Sequence, residues 1–290
     1  MTGENQPVED LTEPSAQGRA DRRRVTVVTG ASSGIGLAAA IALSIRGDEV
    51  VLVGRDPARL AAAADDVAQV SGEPPATFRA DFAVLDDVRT LAGELRAAYD
   101  RIDVLANNAG AILMRPMTTV DGFELTMQAN HLAPFLLTCL LRDRVGRVVV
   151  TASAAHRSGA LDPADLSRQL AGYRAMRAYG TSKQANILFA AEAARRWPAL
   201  LTTSFHPGVV RTRFASDSTF VALGMKLAPF LRTPAQGAQT LVWLAEQDAR
   251  GLTNGGYYVN RRLRAPLAKA ADPQLAARLW EASERAVGLS

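Results

Sequence analysis

Residues 25–36 read VTVVTGASSGIG, and this stretch indicates the fold of the chain. The β-branched run Val25–Thr29 is typical of a short, fully buried strand. The alanine-rich residues that follow predict a helix to about Arg46, so Gly30-x-x-x-Gly34-x-Gly36 lies between a strand and a helix. Such a turn exposes backbone N–H groups at a helix N-terminus, where a pyrophosphate can bind. Because the spacing differs from the common G-x-G-x-x-G of dinucleotide-binding folds, a purely structural turn remains the alternative.

The alternation of buried strand and helix continues along the chain. Further strands are predicted at 50–53, 77–80, 102–106, 147–151, 201–205 and 256–259. Helices are predicted at 57–70, 84–99, 123–141, 179–195 and about 273–287. Strands that alternate with helices imply βαβ crossovers and a parallel sheet with helices on both faces. We therefore expect an α/β fold with one doubly wound (Rossmann) sheet of about seven strands.

Composition limits the class of protein. The chain has 290 residues, 48% of them hydrophobic and 21% charged, which is ordinary for a globular domain and excludes a coiled coil or a collagen-like fibre. Residues 1–24 hold few large apolar side chains and predict a disordered tail before a single domain at 25–290. The lone Cys139 excludes a disulfide scaffold, and three histidines without ligand-spaced partners predict no metal site.

Charge and hydropathy limit the partners and the location. No signal peptide is expected at the polar N-terminus, and no apolar run is long enough for a membrane span, so a cytoplasmic location is predicted. The net charge is +4, but the basic residues are scattered and predict no nucleic-acid partner. A positive body also suits a small anionic ligand.

The end of the second predicted strand favours NADP(H) as the cofactor. Many NAD-binding folds place an acidic residue there to bind the adenosine ribose, whereas this chain has Gly54. Arg55 follows and can pair with a 2′-phosphate through two N–H groups. The alternative is that Arg55 is a solvated residue at the entry of a helix, with its charge partly offset by Asp56, so NAD(H) stays possible.

Polar residues also follow the third and sixth strands. Asp81 can accept a hydrogen bond from an adenine amino group, or it can be the N-cap of the next helix. His206-Pro207-Gly208, with Thr212 soon after, can bracket a nicotinamide ring, or it can form a simple turn. Because ligands of open parallel sheets bind at the carboxyl ends of the strands, both segments predict cofactor contacts.

Tyr179 and Lys183 are a candidate catalytic pair. They are four residues apart on a predicted helix and therefore share one face. A nearby ammonium is expected to lower the pKa of a phenol, normally about 10, and so to make a general acid/base for alcohol and carbonyl chemistry. Only three of the 33 Lys and Arg residues are lysines, which makes this pair more telling than an incidental one.

Two further residues complete the candidate catalytic set. Ser153 comes just after the fifth strand, and its hydroxyl can hold a substrate carbonyl oxygen beside the Tyr–Lys pair. Asn130 lies within the long predicted helix before that strand. Asparagine is unfavourable inside a helix, so its presence there suggests a function.

Taken together, these motifs resemble the short-chain dehydrogenase/reductase family. The resemblance covers about residues 24–262 and rests on motifs in the family's order: Thr29-Gly30-x-x-x-Gly34-x-Gly36, Asn107-Asn108-Ala109-Gly110, Asn130, Ser153, Tyr179-x-x-x-Lys183 and Pro207-Gly208. The segments 130–132, 177–189 and 206–210 are similar to the branch of the retinol dehydrogenases and the WW-domain oxidoreductase. One departure is Pro134, which can bend the helix that holds Asn130.

The resemblance implies hydride transfer between NADP(H) and a carbonyl/alcohol pair. Tyr179 would be the general acid/base, Lys183 would lower its pKa and hold the nicotinamide ribose, Ser153 would position the carbonyl, and Asn130 would anchor a water-linked proton relay. The predicted cofactor contacts are Gly30, Ser32, Ser33, Gly34, Ile35, Gly36, Arg55, Asp81, Phe82, Asn107, Ala109, Gly110, Tyr179, Lys183, Pro207, Gly208, Val210 and Thr212.

The substrate and the assembly are less constrained. Residues 211–233 fall where the family has a substrate loop, and their apolar side chains favour a bulky or apolar carbonyl or alcohol substrate. A helix packed on the sheet is the alternative for this segment. A homodimer or homotetramer is possible by the same resemblance. The alternative to an enzyme is a redox sensor or scaffold that binds the cofactor without turnover.

Overall fold

The computed structural model describes residues 23–167, 172–210 and 231–289. Their strands are β1 (Val25–Thr29), β2 (Glu49–Gly54), β3 (Ala76–Arg79), β4 (Val104–Asn107), β5 (Arg147–Thr151), β6 (Leu201–His206), β7 (Tyr257–Val259) and β8 (Arg262–Leu263). The α-helices are α1 (Gly34–Ile45), α2 (Pro57–Ser71), α3 (Leu85–Ala98), α4 (Leu125–Met127), α5 (Ala133–Leu141), α6 (Ala175–Arg196), α7 (Pro234–Glu246) and α8 (Pro273–Ala286).

The strands form one sheet in the order β3-β2-β1-β4-β5-β6-β7-β8. Neighbours from β3 to β7 are parallel, and only the short β8 pairs antiparallel, with β7. The prediction of a doubly wound parallel sheet of about seven strands is therefore confirmed. The chain changes direction across the sheet between β1 and β4, and the crevice at such a switch point is the usual ligand site of this architecture.

The central strand β1 is buried along its whole length, as its β-branched sequence predicted. Its two faces contribute to two apolar cores. Val27 belongs to the core that includes Leu95, Phe135 and Leu188, whereas Val28 belongs to the core that includes Leu43 and Leu241. Burial on both faces explains why these strands are continuous apolar runs rather than alternating ones.

The predicted helix 123–141 is not one regular helix. Glu124 begins it, because its carboxylate accepts the N–H groups of Thr126 and Met127. After α4, Gln128–Leu132 form a π-helical turn, and α5 follows from Ala133. Proline at position 134 lacks an N–H group, so the regular hydrogen-bond pattern cannot pass through this point. The expected bend is present as a change of helix type around Asn130.

Helix α7 was not predicted from the sequence. Its start carries a reciprocal cap: Gln236 N–H donates to Thr233 Oγ1, and Thr233 N–H donates to Gln236 Oε1. This capping box, followed by Pro234, is a recognisable helix-start signal. The helix packs against α1 and closes one face of the sheet.

Most of the predicted N-terminal tail and of the predicted substrate loop is not among the residues that the structure describes. Residues 1–22 of the predicted tail and residues 211–230 of the predicted substrate loop lie outside them. Arg24 is already fixed to the domain by an ion pair with Asp48, 2.8 Å between Nη2 and Oδ1. Among the helices that the structure describes, none combines the length and the apolar character that a bilayer span requires.

Candidate active site

The carboxyl ends of the central strands border one elongated cavity of about 850 Å³, which we call the central cavity. It runs from the end of β2 and α2 past the glycine turn to the start of α6. Of the predicted site residues, those that line it are Gly30, Ser32, Ser33, Gly34, Ile35, Arg55, Asp81, Phe82, Ala109, Gly110, Ser153, Tyr179, Lys183, Pro207, Gly208 and Val210. The fold thus brings together segments that are up to 180 residues apart, from Gly30 to Val210.

The glycine turn is built for close approach. Gly30 has φ +66°, and a Cβ atom on it would lie 2.8 Å from Ala109 Cα, so a larger residue would collide with the neighbouring loop. Ser33 begins α1 without a side-chain cap bond, and the first turn of this helix carries no acidic residue. The N–H groups and positive end of α1 therefore face the cavity with no carboxylate of that turn against them, as an anion such as a pyrophosphate requires.

Arginines border the cavity at the end of β2. Arg55 and Arg59 both line it, and Arg59 Nη2 donates to Ser33 Oγ at 3.0 Å. The Asp56 carboxylate is used elsewhere, because Oδ1 accepts the Arg59 N–H at 2.9 Å as the cap of α2. A Cβ atom at Gly54 would lie 3.2 Å from Leu60 Cδ1, which leaves little room for an acidic side chain. Two arginine side chains thus border this end of the cavity.

Arg59 was not among the predicted site residues. Its signal in the sequence is its place in the first turn of a helix that follows Arg55 and Pro57. An arginine there is common on solvated helices, so only the fold, which turns it back over Ser33, indicates a contribution to the cavity.

The candidate catalytic groups meet at the other end of the cavity. Tyr179 and Lys183 lie one turn apart on α6, with Lys183 Nζ 5.5 Å from the centroid of the Tyr179 ring. Ser153 forms a side-chain hydrogen bond with Tyr179. Lys183 is 1% exposed, and its Nζ donates to the carbonyl of Thr151 at 3.0 Å. A phenol, a hydroxyl and an ammonium are thus grouped beside the glycine turn.

Burial sets the proton affinities of this group. It raises the pKa of Tyr179 to about 12, although the hydrogen bond with Ser153 acts in the opposite direction. Burial also lowers the pKa of Lys183 to about 7. The net shift of the phenol pKa is thus opposite to the direction expected from a nearby ammonium, because burial disfavours the charged forms of both residues. At neutral pH the phenol holds its proton and can donate it.

Comparison with known proteins assigns the chain to a family. The short chain dehydrogenase model matches residues 24–219. The chain belongs to the short-chain dehydrogenase family. A Streptomyces protein (strain C5) named provisionally as the daunorubicin C-13 ketoreductase DnrU is 54% identical over 267 residues, covering 91% of this chain and 93% of the relative.

Two further similarities place the branch and the fold. Human retinol dehydrogenase 13 is 35% identical over 281 residues, covering 92% of this chain and 85% of that protein. A short chain dehydrogenase of Shigella flexneri 2a, solved in complex with NADP, superposes with a TM-score of 0.64 at 26% identity and covers 82% of this chain and 97% of that one. The resemblance to the retinol dehydrogenase-like branch is confirmed. As a member of this family, the chain is an oxidoreductase of alcohols and ketones that uses a nicotinamide cofactor.

Some predicted residues of this dehydrogenase do not line the central cavity. The Asn107 amide donates to Thr138 Oγ1 at 2.8 Å in the core, and Asn108 lines the cavity in its place. Gly36 lies behind the turn, where a Cβ atom would be 2.3 Å from the Gly30 carbonyl oxygen. Both residues pack around the site, and their contact with a cofactor stays a prediction. Thr212 lies outside the described residues.

The side chain of Asn130 is committed to structure. Its Oδ1 accepts the Ala111 N–H at 2.6 Å, and its Nδ2 donates to the Ala111 carbonyl at 2.9 Å and to Ser182 Oγ at 3.0 Å. The amide therefore fixes the loop after β4 rather than facing the central cavity.

Asp81 lines the cavity but is not the N-cap of α3. Its Oδ1 accepts the Ala83 N–H at 3.0 Å, and its own N–H donates to Asp87 Oδ2 at 3.0 Å. Val84 is the capping residue of α3. The carboxylate is held at the rim by its own turn, with the buried ring of Phe82 next to it.

The end of the central cavity beside Tyr179 is apolar. Its wall includes Ile112, Leu113, Leu125 and three partly exposed side chains, Met114, Met176 and Val209. Apart from Lys183, the charged residues that line the cavity in the described part of the chain are Arg55, Asp56, Arg59 and Asp81, all beyond the glycine turn. In the same described part, no cluster of three His, Cys, Asp or Glu side chains could hold a metal ion.

His156 is a second residue that the sequence analysis missed. Its Nδ1 lies 2.7 Å from the Ser153 carbonyl oxygen, and its Nε2 accepts the Leu267 N–H at 3.1 Å. These contacts require a neutral ring with its proton on Nδ1, and burial lowers the pKa of His156 accordingly. The ring thus ties the backbone of Ser153 to the segment that precedes α8.

We expect His156→Ala to lower kcat by about tenfold, because it removes the hydrogen bond to the Ser153 carbonyl and the bond to the Leu267 N–H that holds the imidazole in place. Binding of reduced cofactor, followed by fluorescence titration, should not change, since His156 does not line the cavity. Ser158→Ala on the same turn is the matched control. Equal loss of kcat in both variants would show that the effect is not specific to Ser153.

Proposed function

We propose that the chain is an NADPH-dependent carbonyl reductase that acts on bulky, apolar ketones. The observation that carries this proposal is the grouping of Ser153, Tyr179 and Lys183 at the apolar end of a cavity whose other end holds Arg55 and Arg59. Such an arrangement offers a proton donor and a carbonyl-binding hydroxyl within reach of a bound nicotinamide.

The lining of the central cavity supports binding of the whole cofactor. The glycine turn and the N-terminus of α1 suit the pyrophosphate, and a Cβ atom on Gly30 would fill this cradle. Arg55 and Arg59 would hold the 2′-phosphate, and Lys183 would reach the nicotinamide ribose. When bound, the cofactor supplies the hydride.

The residues of the chain would provide orientation and a proton. Ser153 would donate its hydroxyl hydrogen to the ketone oxygen and hold the carbonyl carbon toward the nicotinamide. Tyr179 would donate the phenolic proton to the same oxygen as negative charge develops on it. Lys183, charged at this moment, would stabilise the phenolate that remains. Reduction then consumes one hydride and one proton and yields an alcohol.

The substrate class follows from the cavity wall and from a relative. The wall beside Tyr179 carries methionine, leucine and isoleucine side chains, and methionine adapts well to large flat or irregular apolar groups. The Streptomyces relative carries the name of a ketoreductase of daunorubicin, a bulky ketone. The alternative of a sensor without turnover gains nothing from the site, since no member of the candidate catalytic set is missing.

The proposal is tested with purified protein and NADPH, following the loss of nicotinamide absorbance. Daunorubicin, a retinal and a small water-soluble ketone would be compared. We expect turnover of the polycyclic ketone with the highest kcat/KM. Absence of turnover with every carbonyl compound, in protein that binds NADPH, would contradict the proposal and favour the sensor.

The rate of reduction should depend on pH through Lys183. Because the pKa of Tyr179 is raised to about 12, the phenol keeps its proton between about pH 6 and pH 9. The pKa of Lys183 is lowered to about 7, so the ammonium loses its proton as pH rises through that value. We expect kcat/KM for reduction to be highest below about pH 7 and to fall above it. A rate that rises with pH would contradict this assignment.

A further inference from the structure

One backbone carbonyl accepts hydrogen bonds from two buried side chains of α6. The carbonyl of Thr151, the last residue of β5, accepts from Lys183 Nζ at 3.0 Å and from Asn186 Nδ2 at 3.1 Å. Lys183 and Asn186 are three residues apart and therefore share the face of α6 that packs on the sheet. Both side chains are at most 2% exposed.

Asn186 is itself fixed from behind. Its side chain lies next to His131, whose pKa is lowered to about 4 mainly by burial, while Asn186 acts in the opposite direction. His131 Nε2 lies 2.9 Å from Ser283 Oγ on α8. Asn186 thus lies between the Thr151 carbonyl and a buried imidazole that is itself fixed to α8.

We propose that Asn186 is a positioning residue for Lys183. Its amide N–H holds the Thr151 carbonyl in the orientation in which that oxygen receives the lysine ammonium. The lysine side chain is long, and fixing its four rotatable bonds costs conformational entropy. In a buried position an ammonium without a hydrogen-bond acceptor is also unfavourable, so a well-placed acceptor is needed. A carbonyl held by one further donor is a fixed acceptor, and the ammonium stays over the Tyr179 ring.

The consequence concerns cofactor affinity, and this step rests on the proposed contact between Lys183 and the nicotinamide ribose. That ribose is common to NADPH and NADH. Loss of the Asn186 N–H should therefore weaken the binding of both cofactors to the same extent. A change at Arg55 should instead affect NADPH alone, so the two ends of the cavity can be separated experimentally.

The test compares Asn186→Leu and Asn186→Ala with Asn254→Ala by fluorescence titration of the full chain with NADPH and with NADH. Leucine retains the branched shape without the N–H group, whereas alanine also leaves a gap. Asn254 is the matched control, because its amide donates to the Leu200 carbonyl at 3.1 Å next to the start of β6, at the opposite end of the sheet.

We expect both Asn186 variants to raise the Kd of NADPH and of NADH by about tenfold, because each variant loses one hydrogen bond that fixes the acceptor of the Lys183 ammonium. Asn254→Ala should lower the melting temperature without changing either Kd. An unchanged Kd in a folded Asn186 variant, or a loss confined to NADPH, would overturn the proposal. In a Lys183→Met background, Asn186→Leu should cause no additional loss, and full additivity would equally overturn it.

These binding measurements do not depend on the carbonyl substrate. If no ketone is reduced but the Asn186 variants lose affinity for both cofactors, the proposed reaction fails while the positioning role stands. If ketones are reduced and the Kd values of the Asn186 variants do not change, the positioning role fails while the proposed reaction stands.

Discussion

Tyr179→Phe is expected to lower the rate of NADPH-dependent ketone reduction by about 10³-fold, within the range of ~10²–10⁴ typical of general acid catalysis. The substitution removes the only group that the proposed reaction uses to protonate the ketone oxygen, and leaves the ring in place. The ring still fills its site beside Lys183, so the fold and the Kd of NADPH should change little. Initial rates at saturating ketone and NADPH measure the effect.

Tyr257→Phe is the matched control for this experiment. Burial raises the pKa of Tyr257 to about 12, as it does for Tyr179, but Tyr257 lies on β7 and does not line the central cavity. Its loss of a hydroxyl should leave kcat near that of the wild type. Residual activity of Tyr179→Phe above about one tenth of the wild type would contradict the role of the phenol as proton donor.

Arg55→Ala is expected to raise the Kd of NADPH by about 10–100-fold and to leave the Kd of NADH unchanged. A hydrogen-bonded charge pair contributes roughly 1.5–3 kcal/mol, and the 2′-phosphate is the one group that distinguishes the two cofactors. Arg59 borders the same end of the cavity, so Arg55→Ala with Arg59→Ala should remove most of the remaining preference. Fluorescence titration with each cofactor gives both Kd values.

The control for the arginine experiment is Arg46→Ala. Arg46 follows the far end of α1 and forms an ion pair with Glu246 at 3.0 Å, away from the cavity. The Arg46→Ala substitution removes one positive charge, as Arg55→Ala does, but it lies away from the proposed phosphate site. Equal weakening of NADPH and NADH by Arg55→Ala would disprove the cofactor preference and show that Arg55 supports the fold of the site instead.

The strands and the catalytic motif were predictable because they depend on local sequence. β1 and β5 have the predicted bounds, Val25–Thr29 and Arg147–Thr151, since each is a β-branched run that is buried on both faces. Tyr179 and Lys183 share a face through helical periodicity alone, although α6 begins earlier than expected, at Ala175. Patterns of this kind are independent of distant residues.

Other features depended on distant residues and could not be read from local patterns. The side chain of Asn107 turns into the core because Thr138, on α5, offers it an acceptor. The side chain of Asn130 turns away from the central cavity because Ala111 and Ser182 offer partners to its amide. His156 and Arg59 gained their places only through contacts with Leu267 and Ser33.

By itself, the sequence determined the parallel sheet, the order of its strands along the chain, the glycine turn and the catalytic motif of a short-chain dehydrogenase. Hydrophobic periodicity and the special conformations of glycine act over a few residues, so they are visible without a fold. The tertiary structure decided the proton affinities: burial raises the pKa of Tyr179 to about 12 and lowers that of Lys183 to about 7. It also decided which polar groups face the central cavity, because desolvation and hydrogen-bond partners are properties of packing between segments far apart in the chain.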